Sequence, residues 1–298
     1  MAELRGNSYG KQRVRLTKLA RSGDEHSVYE FTVEVMLYGE FEAVYTEGDN
    51  ASCVPTDTMK NTVYVVAKRN SFSTPEAFAI ALVDHFVGTY PQIRGTAVQV
   101  EGERWRRIVV DGKPHHHAFV KGQGKRTATV GLGELPAGAL TRADGAPVAG
   151  GVYKEPLVLS GLSGIEVFKS GGSGFAGYHK DDLTTLPETD DRILATTIDA
   201  SWSFTAPGDY EETRESVEQA ILSVFASNWS PSLQATLFEM GEAILAAVPA
   251  IAEVAFAMPN QHHILFDLER FGMENNREIF YGTDSPFGYI TGAVRREE

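Results

Sequence analysis

Val28-Tyr29-Glu30-Phe31-Thr32-Val33-Glu34-Val35 decides how this chain folds. Tyr29, Phe31, Val33 and Val35 fall on one side of an extended backbone, and Glu30, Thr32 and Glu34 on the other. Side chains of a strand alternate between faces, so this is a half-buried strand with one dry face. Upstream, Val14, Leu16 and Lys18 predict a shorter partner, and Ser22-Gly23-Asp24-Glu25 predicts the hairpin connection between them. Downstream, Ser73-Thr74-Pro75-Glu76 holds a Ser-x-x-Glu capping box with a proline in the first turn. Phe78, Leu82 and Phe86 follow at helical spacing, and Gly88 offers a stop. Residues 98–100, 108–110 and 127–130 read as strands separated by glycine-rich turns. Residues 131–151 are rich in Gly, Ala and Pro, which places a domain boundary there, giving modules 1–140 and 141–298.

The second half repeats this order. Ile198, Ala200, Trp202 and Phe204 share one strand face; Thr197, Asp199, Ser201 and Ser203 share the other. Pro207-Gly208-Asp209 turns the chain. Val217, Ile221, Val224 and Phe225 form a helical stripe, and a second helix after Pro231 carries Leu237, Met240, Ile244, Leu245 and Val248. Ile264, Phe266 and Leu268 alternate as a strand, and residues 279–281 and 289–294 supply more. Each half reads as two long strands, a helical stretch, then further strands. Antiparallel strands with helices gathered on one face give an α+β layer. The opposite sheet face still carries large side chains, which predicts packing against another subunit.

Composition narrows the function. The 298 residues are 42% hydrophobic and 10% aromatic, enough for a substantial core. A formal charge of −13 argues against nucleic acid or an anionic membrane as the main partner. It also requires that any anionic substrate be drawn in by a local Arg or Lys. Cys53 is the sole cysteine, so no intrachain disulfide forms, which suits a reducing compartment. No run of 18 or more apolar residues predicts a membrane span. The polar start and an Arg295-Arg296-Glu297-Glu298 end, unlike a Ser-Lys-Leu address, point to the cytoplasm.

Several polar clusters are candidates for chemistry. Thr56-Asp57-Thr58-Met59-Lys60-Asn61 leads abruptly into Val63-Tyr64-Val65-Val66, so an apolar element anchors a reachable polar end. Thr56 and Asp57 also suit a plain helix cap. Lys11, after Asn7-Ser8-Tyr9-Gly10, reads by itself as a solvated strand-edge residue. Pro259-Asn260-Gln261-His262-His263 reads as a turn, because Pro and Asn favour turns. His115-His116-His117 invites a metal reading, but strand alternation places only His115 and His117 on one face. Two ligands fall short of a zinc site, so the expectation is a polar strand position and no metal. Gly171-Gly172-Ser173-Gly174 lacks the lysine of a P-loop, and no Gly-x-Ser-x-Gly elbow occurs.

Taken together, four segments resemble the urate oxidases (uricases). They are Tyr9-Gly10-Lys11; Thr56-Asp57 with Lys60-Asn61-Thr62; Phe175 with Asp190-Asp191-Arg192-Ile193-Leu194; and Ser230-Pro231-Ser232-Leu233-Gln234 with Pro259-Asn260-Gln261-His262. Gly39-Glu40-Phe41, Gly48-Asp49-Asn50-Ala51, Phe280-Tyr281-Gly282 and Pro286-Phe287-Gly288 fit as well. The resemblance spans nearly the whole chain. It implies two tandem T-fold modules, antiparallel sheets backed by helices, in a homotetramer that forms a hollow barrel with active sites at subunit interfaces. It implies oxidation of urate by O₂ and water to 5-hydroxyisourate and hydrogen peroxide without any cofactor.

The resemblance also assigns roles. Phe175 stacks on the urate ring, Arg192 and Gln234 grip opposite edges, and Leu233 offers its backbone N–H. Asp57 places the neighbouring loop and ligand, while Asn260 and Thr56 hold O₂ or a water. Lys11, Thr56 and His262 form the proton relay. The competing readings are a purine- or pterin-processing relative of this fold, which would need a zinc set or an anchoring glutamate, and an inactive purine-binding barrel, which would not need a relay.

Overall fold

A computed structural model describes residues 2–206 and 208–297, so Pro207 of the expected turn lies outside the described residues. The chain divides into two compact units between Ser163 and Gly164.

In the first unit, β1 (Tyr9–Ser22) and β2 (Glu25–Gly39) form the expected hairpin, with Ser22 opposite Glu25. Gly23 takes φ +60°, which a glycine adopts without strain. Three helices follow: α1 (Glu42–Thr46), α2 (Thr56–Arg69) and α3 (Pro75–Thr89). Then come β3 (Ile93–Val110), β4 (Lys113–Leu135) and β5 (Gly151–Lys169), which continues into the second unit. Neighbouring strands pair antiparallel in the order β1-β2-β3-β4-β5. Phe31, Val33, Val35 and Leu37 of β2 are buried, as their alternation requires.

Helices α2 and α3 cover this apolar face, α2 over β1 and α3 over β3 and β4. In α2 the buried residues are Met59, Thr62, Val63, Val66 and Ala67, a helical stripe. At the entry to α3, Phe72 stacks on Phe78 at 4.4 Å and on Phe31 at 5.8 Å.

Several details differ from the sequence reading. The capping box from Ser73 does not form. Thr74 is the N-cap, accepting from the N–H of Ala77. Glu76 instead turns inward, accepting from Ser160 Oγ at 2.7 Å and lying 3.5 Å from Arg126. Helix α3 also runs past Gly88. Residues 98–100 and 108–110 belong to one long strand, and its hairpin turn is Asp111-Gly112, both at positive φ. The compact units divide at Ser163/Gly164, whereas the glycine-rich composition places the module boundary at 140/141. Residues 136–150 stay with the first unit, because Leu140 packs with Leu135, Ala97 and Leu159.

The second unit holds β6 (Leu194–Phe204), α4 (Tyr210–Ser227), α5 (Leu233–Ala247), β7 (Ile251–Leu265) and β8 (Phe280–Arg295), with β6-β7-β8 antiparallel. Ile198, Ala200 and Trp202 are buried on β6, and Val254, Phe256 and Met258 on β7. Helix α5 covers β7 and β8 and packs against α4. It approaches β8 closely at Gly241, where an added Cβ would sit 2.5 Å from Val294. The stretch from Pro259 to His263, read as a turn, lies inside β7. Turn-forming residue types are tolerated there because the ladder to β8 shifts register between Asn260 and His262. Ile264 completes that strand, whereas Phe266 and Leu268 fall beyond it; residues 279–281 and 289–294 are served by the single strand β8, apart from Ile279.

Burial pushes the Glu76 carboxyl above its usual range, and Arg126 and Ser160 only partly offset this. A carboxyl with a raised folded pKa contributes stability below its unfolded pKa and loses it as pH rises through its folded pKa. Glu76→Gln keeps an acceptor for Ser160 and does not ionise. Denaturant unfolding should therefore show wild type losing ground to this variant as pH rises from about 4; a gap that is flat with pH, or that widens in favour of wild type, contradicts this.

Candidate active site

The first unit presents Lys11, Thr56 and Asp57 around the start of α2. Three ties fix that helix on β1. Tyr9 Oη accepts from the N–H of Val54 at 2.7 Å, just before α2 begins. Tyr64 Oη donates to the Arg15 carbonyl at 3.0 Å. Lys18 Nζ donates to the carbonyls of Ala67 and Asn70 at the other end, at 2.8 and 2.6 Å. Burial raises the Tyr9 phenol pKa, so it stays a neutral strut.

Thr56 and Asp57 do not cap α2. Pro55 occupies the N-cap position with no side-chain bond, and Thr56 is already in the first turn. Asp57 bonds Lys60 Nζ and accepts from Asn61 Nδ2 at 3.0 Å. Its carboxyl is held low chiefly by Lys60, with Asn61 and Lys11 adding to the effect. Lys11 is therefore close enough for its charge to act on Asp57. It is half-buried and sits at a β1 bulge, where the register with β2 shifts between Lys11 and Val14. Among the described residues, the Thr56 hydroxyl has no hydrogen-bond partner and stays exposed.

The second unit gathers Phe175, Arg192, Leu233 and Gln234. The connection from β5 to β6 is stitched to the start of α5 through Ser173 and Ser230, which pair in parallel. Gly174 N–H donates to the Ser230 carbonyl at 2.9 Å, and Ser230 N–H to the Gly172 carbonyl at 3.0 Å. The buried Ser230 hydroxyl meets Thr236 Oγ1 and Lys169 Nζ, both at 2.7 Å. Phe175 is held by two backbone bonds to Thr189, at 2.7 and 3.0 Å.

Arg192 hangs on the same stitch. Its N–H donates to the Ser173 carbonyl at 2.9 Å and its Nε to Ser173 Oγ at 3.2 Å. The guanidinium lies 5.3 Å from the centre of the Phe175 ring. It is half-buried, and burial lowers its pKa, although an arginine remains charged. No carboxylate pairs with it among the described residues; neighbouring Asp191 pairs with Arg277 at 2.9 Å instead. A cleft of about 510 Å³ opens beside Arg192, with Phe168, Ile193, His263 and Arg277 along it.

Helix α5 begins at Leu233, capped by Ser232, whose Oγ accepts from Ala235 N–H at 3.1 Å. The N–H groups of Leu233 and Gln234 fall in the first turn and have no helical acceptor. The Leu233 side chain is buried and the Gln234 amide is exposed. Asn260 pairs with Thr196 of β6, two residues after Leu194, and His262 lies two residues on, across the register shift with β8. Thr196 Oγ1 donates to the Pro259 carbonyl at 2.8 Å, and Gln261 Nε2 to Thr197 Oγ1 at 3.1 Å, which fixes this part of β7.

The nine expected residues thus divide between the units, three on the first and six on the second, where Arg192 and Phe175 lie side by side. Sequence reasoning missed their supports. Ser173, Lys169 and Thr236 carry no motif of their own, and Ser230 stands in a family segment without a role. Tyr178, stacked on Phe175 at 4.9 Å, left only its three-residue spacing as a signal.

An α+β chain of two units, each with antiparallel strands under helices, the second with a half-buried arginine beside a phenylalanine ring, defines a class. The comparisons narrow it. The Uricase family model matches residues 7–131 and 158–291. The uricase of Schizosaccharomyces pombe is 39% identical, with 97% of each chain covered. That of Dictyostelium discoideum is 36% identical over 99% of this chain and 98% of its own. The crystal structure of uricase from Arthrobacter globiformis superposes with a TM-score of 0.88 at 37% identity, covering 100% of this chain and 96% of the other. The chain belongs to the uricase family.

Gly174 tests the stitch. A Cβ there would lie 2.9 Å from the Thr189 carbonyl oxygen and 3.0 Å from Trp229. Gly174→Ala should push the Phe175–Thr189 pairing apart and cost about 1–3 kcal/mol. Hydrogen exchange should show a deprotected Phe175 amide; an amide as protected as in wild type contradicts the role given to this glycine.

Proposed function

We propose that this chain is a urate oxidase that needs no metal or organic cofactor. Its sites form where the Lys11, Thr56 and Asp57 group of one copy meets the Phe175, Arg192, Leu233, Gln234, Asn260 and His262 group of another in a homotetramer. Membership of the uricase family supports the reaction. The observation that carries the site is Arg192: a half-buried cation beside an aromatic ring, with no carboxylate paired to it among the described residues.

Urate is a flat anion. Phe175 fixes its plane, and Tyr178 backs that ring. Arg192 bonds one edge with its planar fork. The Gln234 amide, which both donates and accepts, pairs with the other edge, and the Leu233 N–H adds a donor. This local charge draws the anion to a chain of net charge −13.

Thr56, Lys11 and His262 relay the proton taken from urate. The resulting anion is itself the electron donor, passing two electrons to O₂, which Asn260 and Thr56 hold against the ring. The O₂ takes two protons and leaves as hydrogen peroxide, and water adds its hydroxyl to the oxidised ring, giving 5-hydroxyisourate. Positioning and proton transfer are what the protein contributes.

Assembly rests on two supports. Phe266, Tyr281, Phe287 and Tyr289 are large exposed side chains of the second unit, a surface suited to another copy. The three- and six-residue groups also lie on different units. Each unit is, on this reading, one T-fold module. The single cysteine favours a cytoplasmic location, and no helix among the described residues is long and apolar enough to cross a membrane.

Chelator-treated protein should consume urate with matching peroxide release; loss of turnover on metal removal contradicts the cofactor-free reading. Lys11→Met or Thr56→Val should lower kcat about 10²–10⁴-fold with the assembly intact; near-normal turnover removes them from the relay. Arg192→Gln should weaken urate binding about 10- to 100-fold, since a hydrogen bond to a charged group contributes roughly 1.5–3 kcal/mol. Unchanged affinity would mean that the anion is held elsewhere.

A further inference from the structure

His115, His116 and His117 do not alternate across β4 as a regular strand requires. Opposite them, Arg107 pairs with Phe119 and Val109 with Pro114. Two steps along β3 thus face five along β4, so β4 bulges by three residues at the histidines. The bulge corrects the expectation that only two of the three share a face. All three rings converge: centroids lie 4.5 Å apart for His115–His116, 4.6 Å for His115–His117 and 4.4 Å for His116–His117.

Arg107 holds the bulge in shape. One guanidinium nitrogen donates to the carbonyls of His115 and His116 at 3.0 and 2.6 Å, and another to the His26 carbonyl at 2.6 Å. Its charge lies 3.8 Å from Glu25, and its flat face sits over Phe119. Here one potential ligand nitrogen from each ring falls within 4.8 Å of the others.

We propose that His115, His116 and His117 form a surface site for one divalent transition-metal ion of the Zn²⁺, Cu²⁺ or Ni²⁺ class. Imidazole is the ligand these ions share. Zn–N bonds of about 2.0–2.1 Å in tetrahedral geometry separate ligand nitrogens by roughly 3.3 Å. Exposed side-chain rotations close that gap. His115 Nδ1 now accepts from the His117 N–H at 3.3 Å. Ligation through either nitrogen gives up that weak contact: an ion at Nδ1 displaces it directly, and an ion at Nε2 leaves the ring proton on Nδ1, which then no longer accepts. Three protein ligands leave a coordination position for water or an exogenous group. Neither the site nor its test depends on the urate reading.

The test is calorimetric titration of ZnCl₂ into the full-length, untagged, chelator-stripped protein, repeated with CuCl₂. The expected result is saturable binding of one ion per chain. His116→Asn should weaken it at least tenfold, and replacement of all three histidines by Asn should abolish it. His179→Asn, at an exposed histidine elsewhere, should leave it unchanged, and circular dichroism should confirm that every variant is folded. With copper, electron paramagnetic resonance should show nitrogen hyperfine structure that the triple variant lacks. No saturable one-per-chain binding, or equal affinity in the triple variant, overturns the proposal.

Discussion

The proposed urate site depends on a guanidinium that has no carboxylate partner among the described residues. Arg192 is half-buried, bonds Ser173 through both backbone and side chain, and stands beside Phe175. Burying a charge without a partner is costly, and the cost is tolerated where an anion is to be bound. Asp191, the nearest carboxylate along the chain, is drawn off by Arg277. The Ser173–Ser230 pairing ties the segment that carries Arg192 to the start of α5, where the first-turn N–H groups and the Gln234 amide lie.

The first unit solves a different problem, that of holding polar groups in place without using them up. Helix α2 is tied to β1 at both ends and in its middle, by Tyr9, Lys18 and Tyr64. None of these ties consumes Thr56 or Lys11. Asp57 anchors Lys60 and Asn61, stiffening the first turn beneath Thr56.

Much of this was legible in the sequence. The alternation from Tyr29 to Val35 identified β2 and its dry face, and the helical stripes located α3, α4 and α5. The residues quoted for the family resemblance lie partly on these elements, as Lys11 on β1 and Gln234 on α5, and partly in connections, as Phe175 and Arg192 between β5 and β6. What failed to show was continuity. The outer halves of β3 and β4 are largely exposed, so no apolar period marks them, and one strand read as two. Pro259 and Asn260 looked like a turn because residue preference is local, while the ladders of β6 and β8 that override it are not. The histidine cluster was hidden for the same reason: a bulge is a property of two strands, and one-strand alternation cannot reveal it. Supports such as Thr236 and Lys169 are invisible because buried hydrogen bonds leave no spacing rule.

The central claim is that each site is completed by two copies, one giving Lys11 and Thr56 and the other Arg192 and Gln234. Two inactive chains test it directly: Lys11→Met/Thr56→Val in one, Arg192→Gln/Gln234→Ala in the other, co-expressed and purified as mixed assemblies. Random pairing across shared interfaces should restore urate turnover at about a quarter of the sites, although neither chain is active by itself. Mixed assemblies as inactive as either parent would show that both groups must come from one chain, and would contradict the account.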